Sequence, residues 1–204
     1  IAKNAVAAGF DYLNSREPES ARDSFTAGRD AFVAAGDRWN SLIADLWLAH
    51  ALSDLSKIAE SDIILGRLTE TAERSKYPWL SLAAEDWVAN NQRLRGEIGR
   101  SIAQDVKNLA FAERLSDAAM RTKLSMALAD SYESLGEIDR ASGFLGRLNS
   151  VGPLYIQSGV RSWQRNFYSA KMAAKLGLIN AADHFAQEAL LDVKNSPLKK
   201  SQAV

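Results

Sequence analysis

The chain contains no cysteine. Without a thiol there is no disulfide framework, no thiolate nucleophile and no Cys-ligated zinc, and the cytoplasm is the expected compartment. Histidine is nearly as scarce. His50 and His184 each stand one helical turn before an acid, Asp54 and Glu188; such a pair supplies two ligands where a metal site needs at least three. Structural or solvated roles are expected for both. Charge of one sign is missing too: 25 basic side chains face 25 acidic ones. The chain therefore has no long-range field to draw in nucleic acid or an anionic membrane, and neither is expected as a partner. No apolar run approaches the ~20 residues of a membrane-spanning helix. Alternating Val, Ile and Thr between Asn-Gly or Asp-Gly turns, the mark of hairpins, is also absent.

Motifs that carry chemistry are equally few. Gly96-Glu97-Ile98-Gly99-Arg100-Ser101 has the glycines of a phosphate loop but lacks GxxxxGK and follows a helix instead of a strand. It reads as a turn between helices. No Ser, His and Asp set, no paired catalytic carboxylates and no dinucleotide fingerprint stands out. The expectation is a protein that is not an enzyme and uses no cofactor or metal. It begins at Ile1 without an initiating methionine, which reads as a fragment or a processed form.

What the chain does have is repetition. At 47% hydrophobic and 25% charged it can bury a substantial interior. Residues 38–58 and 78–98 align at a shift of 40, matching Trp39 with Trp79, Ser41 with Ser81, Leu42 with Leu82, Ala44 with Ala84, Trp47 with Trp87, Ala49 with Ala89 and Ile58 with Ile98. Two tryptophan pairs at one spacing point to units that bury their apolar faces against neighbours. The periodicity is helical: Leu124, Leu128, Tyr132 and Leu135 form one stripe. Gly36-Asp37 marks a helix stop and the next N-cap, and Pro18, Pro78 and Pro153 suit first turns. Helices are predicted at about 2–15, 18–35, 38–56, 59–75, 78–95, 98–115, 118–135, 138–149, 154–176 and 179–193. They form five pairs, 2–35, 38–75, 78–115, 118–149 and 154–193, in one repeat domain over 1–194, with a tail at 195–204 around Pro197. A small residue opens each second helix at Ala21, Ser61, Ser101, Ala141 and Ala182, and another sits within each first helix at Gly9, Ala49, Ala89, Ala129 and Ala170. These allow close helix approach. The tryptophans, Trp39, Trp47, Trp79, Trp87 and Trp163, are expected to fill the space between pairs.

Residues 128–148, LADSYESLGEIDRASGFLGRL, resemble a tetratricopeptide repeat in Leu128, Ala129, Tyr132, Gly136, Ala141 and Leu145. Gly9, Tyr12, Ala21 and Phe25 match more loosely in the first pair, and Ala170, Leu176, Gly177 and Ala182 in the last. The unit of 40 to 41 residues is longer than the family's usual length, as in arrays attached to bacterial signalling and regulatory proteins. The resemblance implies an all-α, right-handed α-solenoid of about five antiparallel helix pairs, a TPR-like superhelix. It also implies a protein–protein interaction scaffold, part of a larger bacterial signalling or regulatory protein, that binds a protein or peptide on its concave face. The alternative is a ligand-sensing effector domain holding a small molecule or short peptide inside the superhelix.

In such arrays the first helices line the concave face. One ladder of positions there is His50, Asn90, Asp130 and Lys171. One turn earlier lie Leu46, Asp86, Met126 and Phe167, and one turn later Ser53, Arg93, Glu133 and Ala174. With Lys123, the partner-binding set expected from the resemblance is Leu46, His50, Asp86, Asn90, Arg93, Lys123, Met126, Asp130, Glu133, Phe167 and Lys171. Asn90, Arg93 and Lys123 are the one trio suited to gripping a terminal carboxylate, but Asp86 and Asp130 flank them and argue against that use.

Overall fold

The structure is a computed structural model that describes residues 1–149 and 162–195. Among the described residues every regular element is an α-helix: α1 Ala2–Asn14, α2 Pro18–Ala34, α3 Arg38–Asp54, α4 Ile58–Ser75, α5 Pro78–Leu94, α6 Ile98–Arg114, α7 Ala118–Ser134, α8 Ile138–Asn149, α9 Ser162–Lys175 and α10 Ile179–Asn195. The predicted helices match these to within one or two residues. The exception is α9, whose expected start at 154, with Pro153, lies outside the described residues.

Local chemistry sets the ends. Pro18 and Pro78 open α2 and α5, where a missing N–H costs no hydrogen bond. The carboxylates of Asp37 and Asp117 accept from the backbone N–H of Asn40 and Met120, at 3.1 and 2.9 Å, and so cap α3 and α7. Each described turn between helices holds one left-handed residue: Arg16, Gly36, Ser56, Lys76, Gly96, Ser116, Gly136 and Gly177. At Gly96 its N–H donates to the Arg93 carbonyl and the N–H of Glu97 to that of Gln92, both at 2.9 Å, closing the last turn of α5 in a Schellman motif. The 40-residue unit is thus two halves of about equal length, each ending in the same reversal.

Packing divides the chain into two compact units, Ile1–Gln104 and one that begins at Asp105. In the first unit α1 and α2 lie so close that a Cβ on Gly9 would stand 2.7 Å from the Phe25 ring, and one on Gly28 would stand 2.6 Å from Val6. Leu48, Ala51 and Leu52 of α3 close over Ala21 and Phe25 of that pair. Trp47 meets Phe10 edge-on at 4.7 Å. The following pair repeats the arrangement: α5 packs on α4, Trp87 stacks on His50 at 3.9 Å, and Asn91 enters between α3 and α4. In the second unit Met172 of α9 enters the groove of α7 and α8, among Met126, Ala129, Ala141 and Leu145. The small residues Ala21, Ser61, Ser101 and Ala141 are fully buried, as their spacing predicts.

The tryptophans split into two classes. Trp47 and Trp87 are half-buried in equivalent settings. Trp39 and Trp79 are each 42% exposed, so the expectation of core packing is corrected for these two. They stand on the first turns of α3 and α5, twelve residues before the inserted Ala51 and Asn91. At about 100° per residue that turns them well away from the packing stripe. The side chain of Trp163 lies outside the described residues.

Candidate functional site

Three members of the expected binding set are interior. Leu46 and Asp86 are 2% exposed and Met126 9%, so a docking partner cannot reach them. Their positions face the groove of their own pair, and in the case of Met126 a residue of the following pair already fills it. Ser53 is likewise buried. His50 is half-buried beneath Trp87, with its Nε2 3.3 Å from the Asp54 carboxylate on the same helix. The expected His–Asp pair forms, and its imidazole serves as the platform for the next pair.

In the second unit the structure brings Asp130, Glu133 and Lys171 together. Glu133 on α7 accepts from both Lys171 and Lys175 on α9. Those hydrogen bonds hold the Glu133 carboxyl below its ordinary range and raise the Lys171 ammonium above its own. Lys171 also lies 6.0 Å from the centre of the Tyr168 ring. Burial, and secondarily the Asp130 carboxylate, raise the Tyr168 phenol and keep its hydroxyl protonated. Glu133 and Lys171 are therefore partners of each other, joining two helix pairs. Asn90 and Arg93 are half-buried on α5, Lys123 is exposed on α7, and Phe167 on α9 is 53% exposed.

A buried polar junction links α3, α4 and α5. The Ser53 hydroxyl donates to Asn91 Oδ1 at 2.6 Å, and Asn91 Nδ2 donates to Ser61 Oγ at 3.0 Å and Asp62 Oδ1 at 2.7 Å. Arg95 then bridges Asp62 and Glu97. Asn91 occupies the repeat position of Ala51, and a polar residue on that apolar stripe is the signal that sequence reading could have used. A second junction surrounds Asp45, which is 6% exposed and meets Arg67 at 2.9 Å and Arg29 at 3.7 Å. Burial raises its carboxyl, and the two guanidiniums oppose that rise without cancelling it. These contacts tie α3 to both α2 and α4.

The exposed feature of the first unit is aromatic. Trp39 meets Tyr77 edge-on, with centroids 4.9 Å apart and planes at 77°. Trp79 follows two residues after Tyr77, and all three are more than one-third exposed. The pattern is built by repetition, because Trp39 and Trp79 hold one position in successive units. Among the described residues no group of three or more His, Cys, Asp or Glu is placed to hold a metal ion, and no helix is long and apolar enough to cross a membrane.

No family model matches the sequence, and no curated protein matches it. Solved structures do match in fold. The Rap conjugation gene regulator of the plasmid pLS20, in complex with the Phr* peptide, superposes over 93% of this chain and 52% of its own, with a TM-score of 0.83 at 11% identity. A Rap protein complexed with Competence and Sporulation Factor covers 94% of this chain and 54% of its own, with a TM-score of 0.79 at 12% identity. Nearly identical TPR-like repeats of the kinesin light chain type, from Podosopora anserina, cover 93% of each chain, with a TM-score of 0.64 at 12% identity. The chain spans about half the length of these two Rap structures. The fold of the chain is that of a TPR-like, all-α helical repeat protein.

Proposed function

We propose that this chain is a non-catalytic recognition module, a helical-repeat scaffold that binds a polypeptide and forms part of a larger cytoplasmic signalling or regulatory protein. The observation that carries this reading is the Trp39, Tyr77 and Trp79 series. Large aromatic side chains held half in water are costly to leave there and are the residues that most often anchor an interface. The recurrence of Trp39 and Trp79 at one repeat position provides two equivalent anchors for an extended partner. Asn90 and Arg93 supply polar contacts within the same unit. The relatives that were solved with a peptide or factor bound support the same class of partner.

The test is selection from a random-peptide phage library against the wild-type chain and a double Trp39→Ala, Trp79→Ala variant, with helicity checked by circular dichroism. Wild-type should enrich a consensus, and the double variant should bind those peptides at least tenfold more weakly, as the loss of two anchors worth about 1–2 kcal/mol each requires. Equal binding by both proteins would remove the aromatic series from the interface. The charge balance adds a second expectation: binding should weaken less than tenfold between low and physiological salt.

A further inference from the structure

The grooves of α1/α2, α3/α4 and α7/α8 are filled in one way. In the α1/α2 groove Trp47 stands against Phe10 and Ala51 packs with Phe25. In the α3/α4 groove Trp87 stands on His50, and Asn91 bonds Ser53 and Ser61. In the α7/α8 groove Tyr168 packs on the cluster that encloses Met172, and Asp130 acts on the Tyr168 hydroxyl. In these three the incoming helix carries the same signature, an aromatic residue, three others, then a residue that enters the groove, whereas α7 has Ala127 and Ser131 at those positions. Trp47 with Ala51, Trp87 with Asn91 and Tyr168 with Met172 are the signature pairs.

Between α9 and α10 the same groove is open. It has a volume of about 790 Å³ and is lined by Phe167, Ala170, Ala174, Ile179, Ala186 and Leu190 among others, with Lys171 and Asp183 as its charged members. At a shift of 41, Phe167, Ala170, Ile179 and Ala186 correspond to Met126, Ala129, Ile138 and Leu145, which enclose or pack against Met172 one pair earlier. Ala186 for Leu145 leaves more room at that position, and the charged members Lys171 and Asp183 are of opposite sign where the counterpart has Asp130 and Glu133. It opens to solvent along one side and so lacks the enclosure of a small-molecule pocket.

We propose that this groove is a docking site for an amphipathic helix of a partner protein, one that carries an aromatic residue four positions before a methionine-sized apolar residue. The aromatic ring lies over Lys171, which holds the repeat position of Phe10, His50 and Asp130, and gains a cation–π contact there. The apolar residue enters between Ala170 and Ala186. A second copy of this chain is a poor occupant. Its α1 offers Ala7 and Asp11 at the two signature positions, and Asp11 would carry an unpaired carboxylate into an apolar groove. This site is separate from the Trp39, Tyr77 and Trp79 series, and the two proposals stand or fall independently.

The chain itself supplies the probe. A fluorescein-labelled peptide of residues 162–175, which carries Tyr168 and Met172, is titrated against the whole protein by fluorescence anisotropy. A peptide of residues 2–14, carrying Ala7 and Asp11, is the control. The first should bind saturably and the second at least tenfold more weakly. Ala186→Glu should lower affinity for the first at least tenfold with native helicity, and Ala174→Glu, which restores the residue type of Glu133, gives the same readout should Ala186→Glu fail to fold. Binding that survives both substitutions, or equal binding of both peptides, would overturn the proposal. So would sedimentation showing a dimer that Ala186→Glu returns to monomer, since the occupant would then be a second copy.

Discussion

Gly9 and Gly66 both lie inside helices, yet alanine at each has opposite consequences. At Gly66 of α4 an added Cβ meets nothing within 4 Å. Only the better helix propensity of alanine acts there, and Gly66→Ala should raise stability by about 0.5–1 kcal/mol. At Gly9 the same gain is outweighed, because the new Cβ falls 2.7 Å from the ring of Phe25, which is fully buried and has no room to swing aside. Overpacking costs about 1–3 kcal/mol, so Gly9→Ala should be net destabilising. Urea midpoints of the two variants decide the matter, and a stabilised Gly9→Ala would mean that α1 and α2 do not approach this closely. Asn91→Ala should cost about 1–3 kcal/mol by the same measurement, since it removes the three hydrogen bonds that tie α5 to α3 and α4, while Ser53 and Ser61 keep each other and Asp62 keeps Arg95.

At the scale of elements the turns and the ion pairs between helices are the adjustable parts. Gly96 and Ser116 both sit in the left-handed region, at φ 77° and 55°. A side chain costs about 1 kcal/mol there, so Ser116→Gly should stabilise and Gly96→Ala destabilise by about that amount, read as thermal midpoints. Lys171→Glu, which would test the expected binding ladder by charge reversal, instead sets a third carboxylate beside Glu133 and Asp130 and should weaken the α7–α9 contact. The pH dependence follows from Glu133. Its folded pKa lies below the ordinary 4.5, so its stabilisation is present above 4.5 and is lost as pH falls through the folded value. Lys171, raised above 10.5, loses the same contact as pH rises through its folded value. The stability difference between wild-type and Glu133→Gln should be constant between those limits and shrink on acidification below pH 4.5. A difference unchanged at pH 3 would show that the ion pairs contribute nothing.

For the whole molecule the two units of packing matter most. Trp39, Trp47, Trp79 and Trp87 all lie in the first unit, so tryptophan fluorescence reports mainly on Ile1–Gln104, while far-ultraviolet circular dichroism reports on every helix. Energy in a repeat protein is spread over neighbouring contacts. Asn91→Ala should therefore shift the fluorescence transition in urea, whereas Glu133→Gln should shift part of the dichroism transition and leave fluorescence nearly in place. Coincident shifts in both variants would mean that the chain unfolds as one cooperative body.

The sequence by itself determined the helices and the repeat length. Proline, the Asp37 cap, the turn glycines and the 3.6-residue stripes act within a few residues of where they stand, so their effects are written locally. It also marked the close approaches, because Ala21, Ser61, Ser101 and Ala141 recur at 40 residues whatever packs on them. Which side chains remain on the surface was decided only by tertiary packing. Leu46, Asp86 and Met126 occupy positions that a solvated helix would expose, and the interior of the array claims them. Trp39 and Trp79 repeat as faithfully as Trp47 and Trp87, yet are 42% exposed because they stand off the stripe that packs on the preceding pair. Repetition in sequence records that a position has a constant environment; whether that environment is core or solvent depends on the helix that arrives from elsewhere in the chain.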